Sequence, residues 1–269
     1  MTTYTTERPL RILSLGWGVQ SWTLAAMAAL GEIPMPDYAV HADTTHEMAG
    51  TYAHAEKWTP WLEEHGVKVR TVTANRPDVV HEGWSNGALI IPAYARHQET
   101  GERGVARRQC TGDWKIVPIR RFVRSIIGKS SPRKCVEMMM GISLDEWHRM
   151  KTADVKYINN VFPLVDKRIR RSDCITWLEQ HGLDVPPKSG CVFCPYNSQA
   201  RWKETKKRGG ADWEKAVAVD KAIRKRRPNY DFFVHTKAIP LEEAVRIPED
   251  YGAKQMEMDI PCDSGHCFV

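Results

Sequence analysis

The chain has 269 residues, 42% of them hydrophobic, and a formal net charge of +6. That length buries one full core with an elaborated C-terminal region. No apolar run approaches the roughly 18 residues of a membrane span, and there is no internal repeat or low-complexity segment, so a soluble globular protein with no membrane partner is expected. The first nine residues lack the charged-then-apolar order of a signal peptide. A cytoplasmic location follows, where seven cysteines read as thiols or metal ligands rather than disulfides.

Residues 10–15 read as a short strand stopping at Gly16, and 20–30 as an alanine-rich helix. A second strand is expected over 38–42, a helix over about 47–65, and a third strand over 67–72. This alternation predicts a parallel sheet covered by helices. Residues 74–108 show no convincing period and read as a long loop, a candidate lid. The spacing of Ile116, Ile119, Val123 and Ile126 predicts an amphipathic helix over 114–127, and 135–142 reads as a central strand. Helices are expected to begin at Asp145 and to span 172–181, 199–208 and 211–227, with an irregular tail from Pro248.

The fold class expected is α/β: an open, mainly parallel sheet with helices on both faces, plus a C-terminal helical, cysteine-containing region. The boundary is set at residues 1–165 for the nucleotide-binding part and 166–269 for a metal-binding region on the same core.

Two patterns carry chemistry. In Ser14-Leu15-Gly16-Trp17-Gly18-Val19-Gln20-Ser21 a strand stops in glycines and feeds a helix, which presents backbone N–H groups and a positive dipole end to a phosphate. Gly16 and Gly18 would let a ligand approach the backbone, and Ser21 offers a hydroxyl. The bland alternative is a plain strand-to-helix turn. In Cys191-Val192-Phe193-Cys194-Pro195 two thiols face one point, as zinc or an iron–sulfur cluster requires; Cys110 and Cys174 lie upstream, while Cys135 reads as core. Basic clusters such as Arg120/Arg121/Arg124 and Lys203/Lys206/Lys207/Arg208 suit nucleotide or nucleic-acid phosphates, or form solvated helix faces.

Gly18-Val19-Gln20-Ser21 resembles the last four positions of the PP-loop of the adenine nucleotide alpha hydrolase superfamily, with Gln20 where pyrophosphatase members have Asp. Asp43-Thr44-Thr45-His46 through Thr51-Tyr52 is similar to the Asp-Thr-Gly…Glu-Thr-Tyr stretch of the PAPS reductase-like branch, with Thr45 for Gly and Gly50 for Glu. The similarity continues through Gly141-Ile142-Ser143…Arg149, Arg108-Gln109-Cys110…Lys115…Pro118 and Pro187…Cys194-Pro195.

The resemblance implies a nucleotide at the C-terminal ends of the strands, cradled by Ser14, Gly16, Gly18, Gln20 and Ser21. Asp43 would address the nucleotide or a bound Mg²⁺, and Arg149 would clamp phosphate, unless it is spent on a salt bridge with Asp145 or Glu146. It also implies a 4Fe–4S cluster on Cys110, Cys191 and Cys194, with Cys174 as the candidate fourth ligand and four-thiolate zinc as the rival. The tail Gly265-His266-Cys267 is loosely similar to the mobile reductase tail, which makes Cys267 a candidate nucleophile; Cys262 and Cys267 would also suit a reversible disulfide served by a thiol reductant.

The function expected is therefore a PAPS reductase-like enzyme of sulfur metabolism that binds ATP or a related adenine nucleotide and reduces a sulfonucleotide or transfers sulfur. The alternatives are ATP-dependent thiolation of a nucleic acid (tRNA or DNA), and a non-catalytic nucleotide- or nucleic-acid-binding protein with structural zinc. Oligomeric state is not legible.

Overall fold

A computed structural model of the chain describes residues 4–74, 84–85, 88–89, 91–106, 109–129 and 131–248, the two short pairs by backbone alone. In chain order the first elements are β1 (Leu10–Ser14), α1 (Val19–Ala29), β2 (Tyr38–Asp43), α2 (Ala49–Glu64) and β3 (Val69–Thr73). Short strands β4 (Trp84–Ser85), β5 (Ala88–Leu89), β6 (Tyr94–His97) and β7 (Arg103–Val105) follow. Then come a π-helical turn over Gly112–Ile116, α3 (Val117–Ile127), β8 (Val136–Met139), a 3-10 helix over Leu144–Arg149 and β9 (Ile158–Val161). The chain continues through α4 (Pro163–Asp166), α5 (Arg171–Gln180), α6 (Gln199–Arg208), α7 (Gly210–Ala222), β10 (Tyr230–Phe233) and α8 (Leu241–Ala244).

Among the described residues the chain divides into two compact units. The first takes those of Met1–Ala74 and Gly112–Ser189, the second those of Asn75–Thr111 and Gly190–Pro261. The division expected after residue 165 thus falls inside the first unit, because the chain leaves that unit after β3 and re-enters it before α3.

The first unit is built on a five-stranded sheet of order β3-β2-β1-β8-β9, parallel at every pairing. Its inner strands β1, β2 and β8 are buried on both faces, so their residues alternate between two apolar layers. Leu10 and Ile12 pack with Val40, Ala42, Ile119, Val123 and Met138. Leu13 and Leu15 instead join Trp22, Leu24, Leu62 and Leu178. α3 covers the first layer, and α1, α2 and α5 contribute to the second, so helices lie on both faces as expected. β1 pairs with β2 on one side and β8 on the other. Strand order reverses at β1, and a reversal opens a crevice outside the C-terminal strand ends where α/β folds bind ligands.

The second unit holds an antiparallel sheet of order β10-β6-β7 with α6, α7 and α8. Two of its strands fall in the segment read as a loop. β6 (Tyr-Ala-Arg-His) and β7 (Arg-Gly-Val) are short and carry charge, so neither shows an alternating apolar pattern; pairing with β10 and with each other holds them. Asp220 on α7 is 2% exposed. Its carboxylate accepts hydrogen bonds from the N–H groups of Val234 at 2.9 Å and Leu241 at 3.1 Å and pairs with Arg224, whose guanidinium stacks 3.8 Å from the Phe233 ring centre.

Candidate nucleotide site and the cysteines

The turn after β1 leads straight into α1. Gly18 caps the helix in an extended conformation, with no side-chain cap bond and no acidic residue in the first turn. The first N–H groups of a helix have no intrahelical partner, and here no carboxylate competes with an anion for them. Ser14, at the end of β1, is 3% exposed, and its Oγ has no hydrogen-bond partner among the described atoms. A buried hydroxyl left this way carries a desolvation cost that a ligand oxygen would relieve.

Gly16 is required neither by backbone strain nor by packing. A Cβ added there would meet nothing closer than Ser21 Oγ at 3.8 Å. Absence of a side chain at a position with room for one fits a cradle that a ligand fills. Gly141, by contrast, is structural, since a Cβ there would stand 2.8 Å from Ser21 N; this glycine lets the end of β8 touch the first turn of α1. Trp17, between the two glycines, takes φ 56°. Its ring is buried against Trp22 and His54, with centroids 5.9 Å away in both cases.

Two expected ligand groups turn inward. Ser21 Oγ accepts from Gly16 N at 3.2 Å and donates to the carbonyl of Gly18 at 3.3 Å, so the hydroxyl stitches the turn together. Gln20 is fully buried. Its amide donates to Glu146 Oε2 at 3.1 Å and Ser143 Oγ at 3.4 Å, and its carbonyl accepts from Arg171 Nη1 at 2.6 Å. Gln20 thus ties α1 to the 3-10 helix and to α5. Arg149 is 2% exposed and its Nη1 lies 2.9 Å from Glu146 Oε2. The salt bridge named as its alternative role is observed.

Asp43 ends β2 half-buried. Its Oδ1 accepts from Thr45 N and from the Tyr52 hydroxyl, both at 2.7 Å. Thr45 takes φ 61°, the left-handed conformation that glycine holds without strain. Burial and the Asp43 carboxylate push the Tyr52 phenol well above its ordinary value, so it remains a donor at neutral pH.

Two residues had no role assigned from the sequence. Glu47, 4% exposed, accepts from Thr44 Oγ1 at 3.3 Å and lies 3.2 Å from Lys115 Nζ. The pair sets a half-buried cation beside the end of β2; its only sequence signal was Lys115 within the stretch from Cys110 to Pro118.

The cysteines are divided between the two units. Cys110, Cys191 and Cys194 are half-buried and belong to the second unit, where Cys194 N donates to the carbonyl of Cys191 at 3.0 Å and closes the turn. Cys174 belongs to the first unit, in the core with Trp22, Leu164 and Leu178. Burial pushes its thiol up to about 12, against a lowering hydrogen bond from Thr23. The residue offered by the sequence as a fourth ligand is thus packed among apolar side chains. Among the described residues no group of three or more His, Cys, Asp or Glu side chains is placed to hold a metal ion. The metal site read from the sequence is therefore carried forward only through the Cys191–Cys194 turn. Cys262 and the candidate nucleophile Cys267 lie outside the described residues.

No family model and no curated protein matches the chain. Among solved structures it is similar to phosphoadenylyl-sulfate (PAPS) reductase from Candida auris in its phosphate complex. The TM-score is 0.44 at 10% identity, over 65% of this chain and 74% of that one. A likeness that slight decides nothing about function, and the fold assignment stands on the sheet order itself. No described helix is long and apolar enough to cross a membrane.

Proposed function

We propose that the protein is an adenine-nucleotide-binding enzyme of the PAPS reductase-like type, acting in sulfur metabolism on a sulfonucleotide or as a sulfur-transfer enzyme. The observation that carries this reading is the Ser14 hydroxyl, buried and unpartnered, at the end of the strand whose turn leads into an uncapped helix N-terminus. The reversal of strand order at β1 and the Asp43–Tyr52 pair at the end of the neighbouring strand support the same place for a phosphate-bearing ligand. The choice of an adenine nucleotide rests on the order of sequence motifs. Lys115, held by Glu47, adds a cation that favours a negatively charged group.

Calorimetric titration with ATP, AMP and PAPS tests the reading. Gly16→Ala should fold and melt like wild type, because nothing crowds its Cβ, yet bind nucleotide at least tenfold more weakly. Ser14→Ala should weaken binding several-fold. Unchanged affinity in Gly16→Ala would place the nucleotide elsewhere.

A further inference from the structure

A cavity of about 270 Å³ lies beneath α3, with Ile119, Met138, Met140 and Ile158 in its walls. A second, of about 370 Å³, runs along β9, the edge strand of the sheet. The two share the segment Lys151–Asp154 together with Ile158 and Asn160, so they adjoin, and the pair is called the groove below, with the apolar pocket at one end.

The groove is cationic. Arg133, Lys134, Lys151 and Lys156 line its outer part. Among the described lining residues the acid is Asp154, and its charge is matched by Arg120, whose hydrogen bond holds that carboxyl below its ordinary value. The cations are spread along the strand rather than gathered at a point. Lys134 N donates to the carbonyl of Lys156 at 2.9 Å just ahead of β8 and β9, and Asn160 Nδ2 donates to the carbonyl of Lys151 at 2.9 Å beside the far end of β9. At the rise of a strand those ends stand roughly 13 Å apart, more than one phosphate can bridge.

Beside the groove Trp147 is 64% exposed, and its carbonyl accepts from the N–H of Met150, a residue of the groove wall. An exposed indole next to a track of cations is the combination that binds unpaired bases and their phosphates together.

We propose that this groove binds single-stranded nucleic acid, its phosphates along Lys134, Lys156 and Lys151 and its bases on Trp147 and in the apolar pocket. A duplex would hide the base faces that Trp147 and the pocket recognise. The site rests on β8, β9 and the segment between them, and does not depend on the nucleotide reading for the turn after β1.

Fluorescence anisotropy of the full chain with a labelled 20-nucleotide strand tests it, with the matching duplex for comparison. Single strand should bind more tightly than duplex, and affinity should fall steeply between 50 and 200 mM salt. Lys134→Glu with Lys156→Glu should weaken binding at least tenfold, and Trp147→Ala about tenfold, with melting curves unchanged. Lys206→Glu with Lys207→Glu, on α6, should leave binding as in wild type. No binding, tighter binding of duplex, or loss only in the α6 variant would each overturn the proposal; Gly16→Ala should retain full binding of the strand.

Discussion

Gly141 and Ser21 meet so closely that a single methyl group would not fit between them: a Cβ on Gly141 would stand 2.8 Å from Ser21 N and 3.0 Å from Ser21 Cα. The obstacle is backbone, which cannot swing aside as a side chain can. This contact fixes the first turn of α1 against the end of β8, and with it the direction in which the helix N-terminus points. Gly141→Ala is expected to destabilise the protein by about 1–3 kcal/mol, the usual cost of overpacking, read as a lowered denaturant midpoint. It should weaken nucleotide binding as well, because the turn moves. Stability equal to wild type would show that the strand end is free to retreat.

Thr45 presents the opposite case. At φ 61° a β-branched side chain is strained, and the turn persists because Asp43 accepts the Thr45 N–H and Thr45 Oγ1 donates to the carbonyl of Thr44 at 2.7 Å. Thr45→Gly should relieve about 1 kcal/mol of that strain, partly offset by the extra freedom glycine gives the unfolded chain. A small gain in thermal midpoint is expected, with nucleotide affinity retained. A clear loss of stability would mean that the hydroxyl contact outweighs the strain.

The first unit was legible in the sequence because its strands are apolar, end in turn residues and alternate with helices of ordinary length. β9 escaped because Ile158-Asn159-Asn160-Val161 carries two polar residues at the sheet edge, where one side needs no apolar cover. β10 and β6 escaped because each is four residues long and is specified by a partner more than a hundred residues away in sequence. At the site, strand ends and glycines marked the turn correctly, since their meaning is local. The direction of a side chain is not local. Gln20 and Cys174 were named for ligand roles, yet their side chains are held by groups on other elements, Gln20 by Glu146 and Arg171 and Cys174 by the α1–α5 core; the Arg149–Glu146 bridge, three residues apart on one helix, was legible because it is local.

Cys174 and the Cys191–Cys194 pair should therefore respond differently to substitution. Cys174→Ala removes a buried sulfur from the core, which should lower stability by about 1 kcal/mol through lost packing and leave metal content unchanged. Cys191→Ser and Cys194→Ser should each lower whatever iron or zinc the anaerobically purified protein carries, since a two-thiolate turn cannot hold a soft metal with one of its sulfurs replaced. Elemental analysis per mole of protein checks both. Metal lost with Cys174→Ala and kept with Cys191→Ser would reverse the assignment.

His54 gives the protein an acid sensitivity that can be assigned to one side chain. It is 6% exposed, ringed by Trp17, Trp22 and Trp58, and its Nε2 has no hydrogen-bond partner among the described atoms. Burial pushes its pKa down to about 4, with Asp184 pulling upward and Lys57 adding to the fall. Between pH 6.5 and about 4 the unfolded chain holds a proton here that the folded chain does not, so stability declines as the pH drops through that window. The full effect is about 3 kcal/mol below pH 4. His41 and His235 are also shifted downward by burial, so the wild-type curve alone does not isolate His54. The difference between wild type and His54→Gln does: urea midpoints measured from pH 7 to pH 4 should fall less steeply in the variant. Parallel curves would show that His54 takes up its proton in the folded state as readily as in the unfolded one, which would require the tryptophan cluster to open to water.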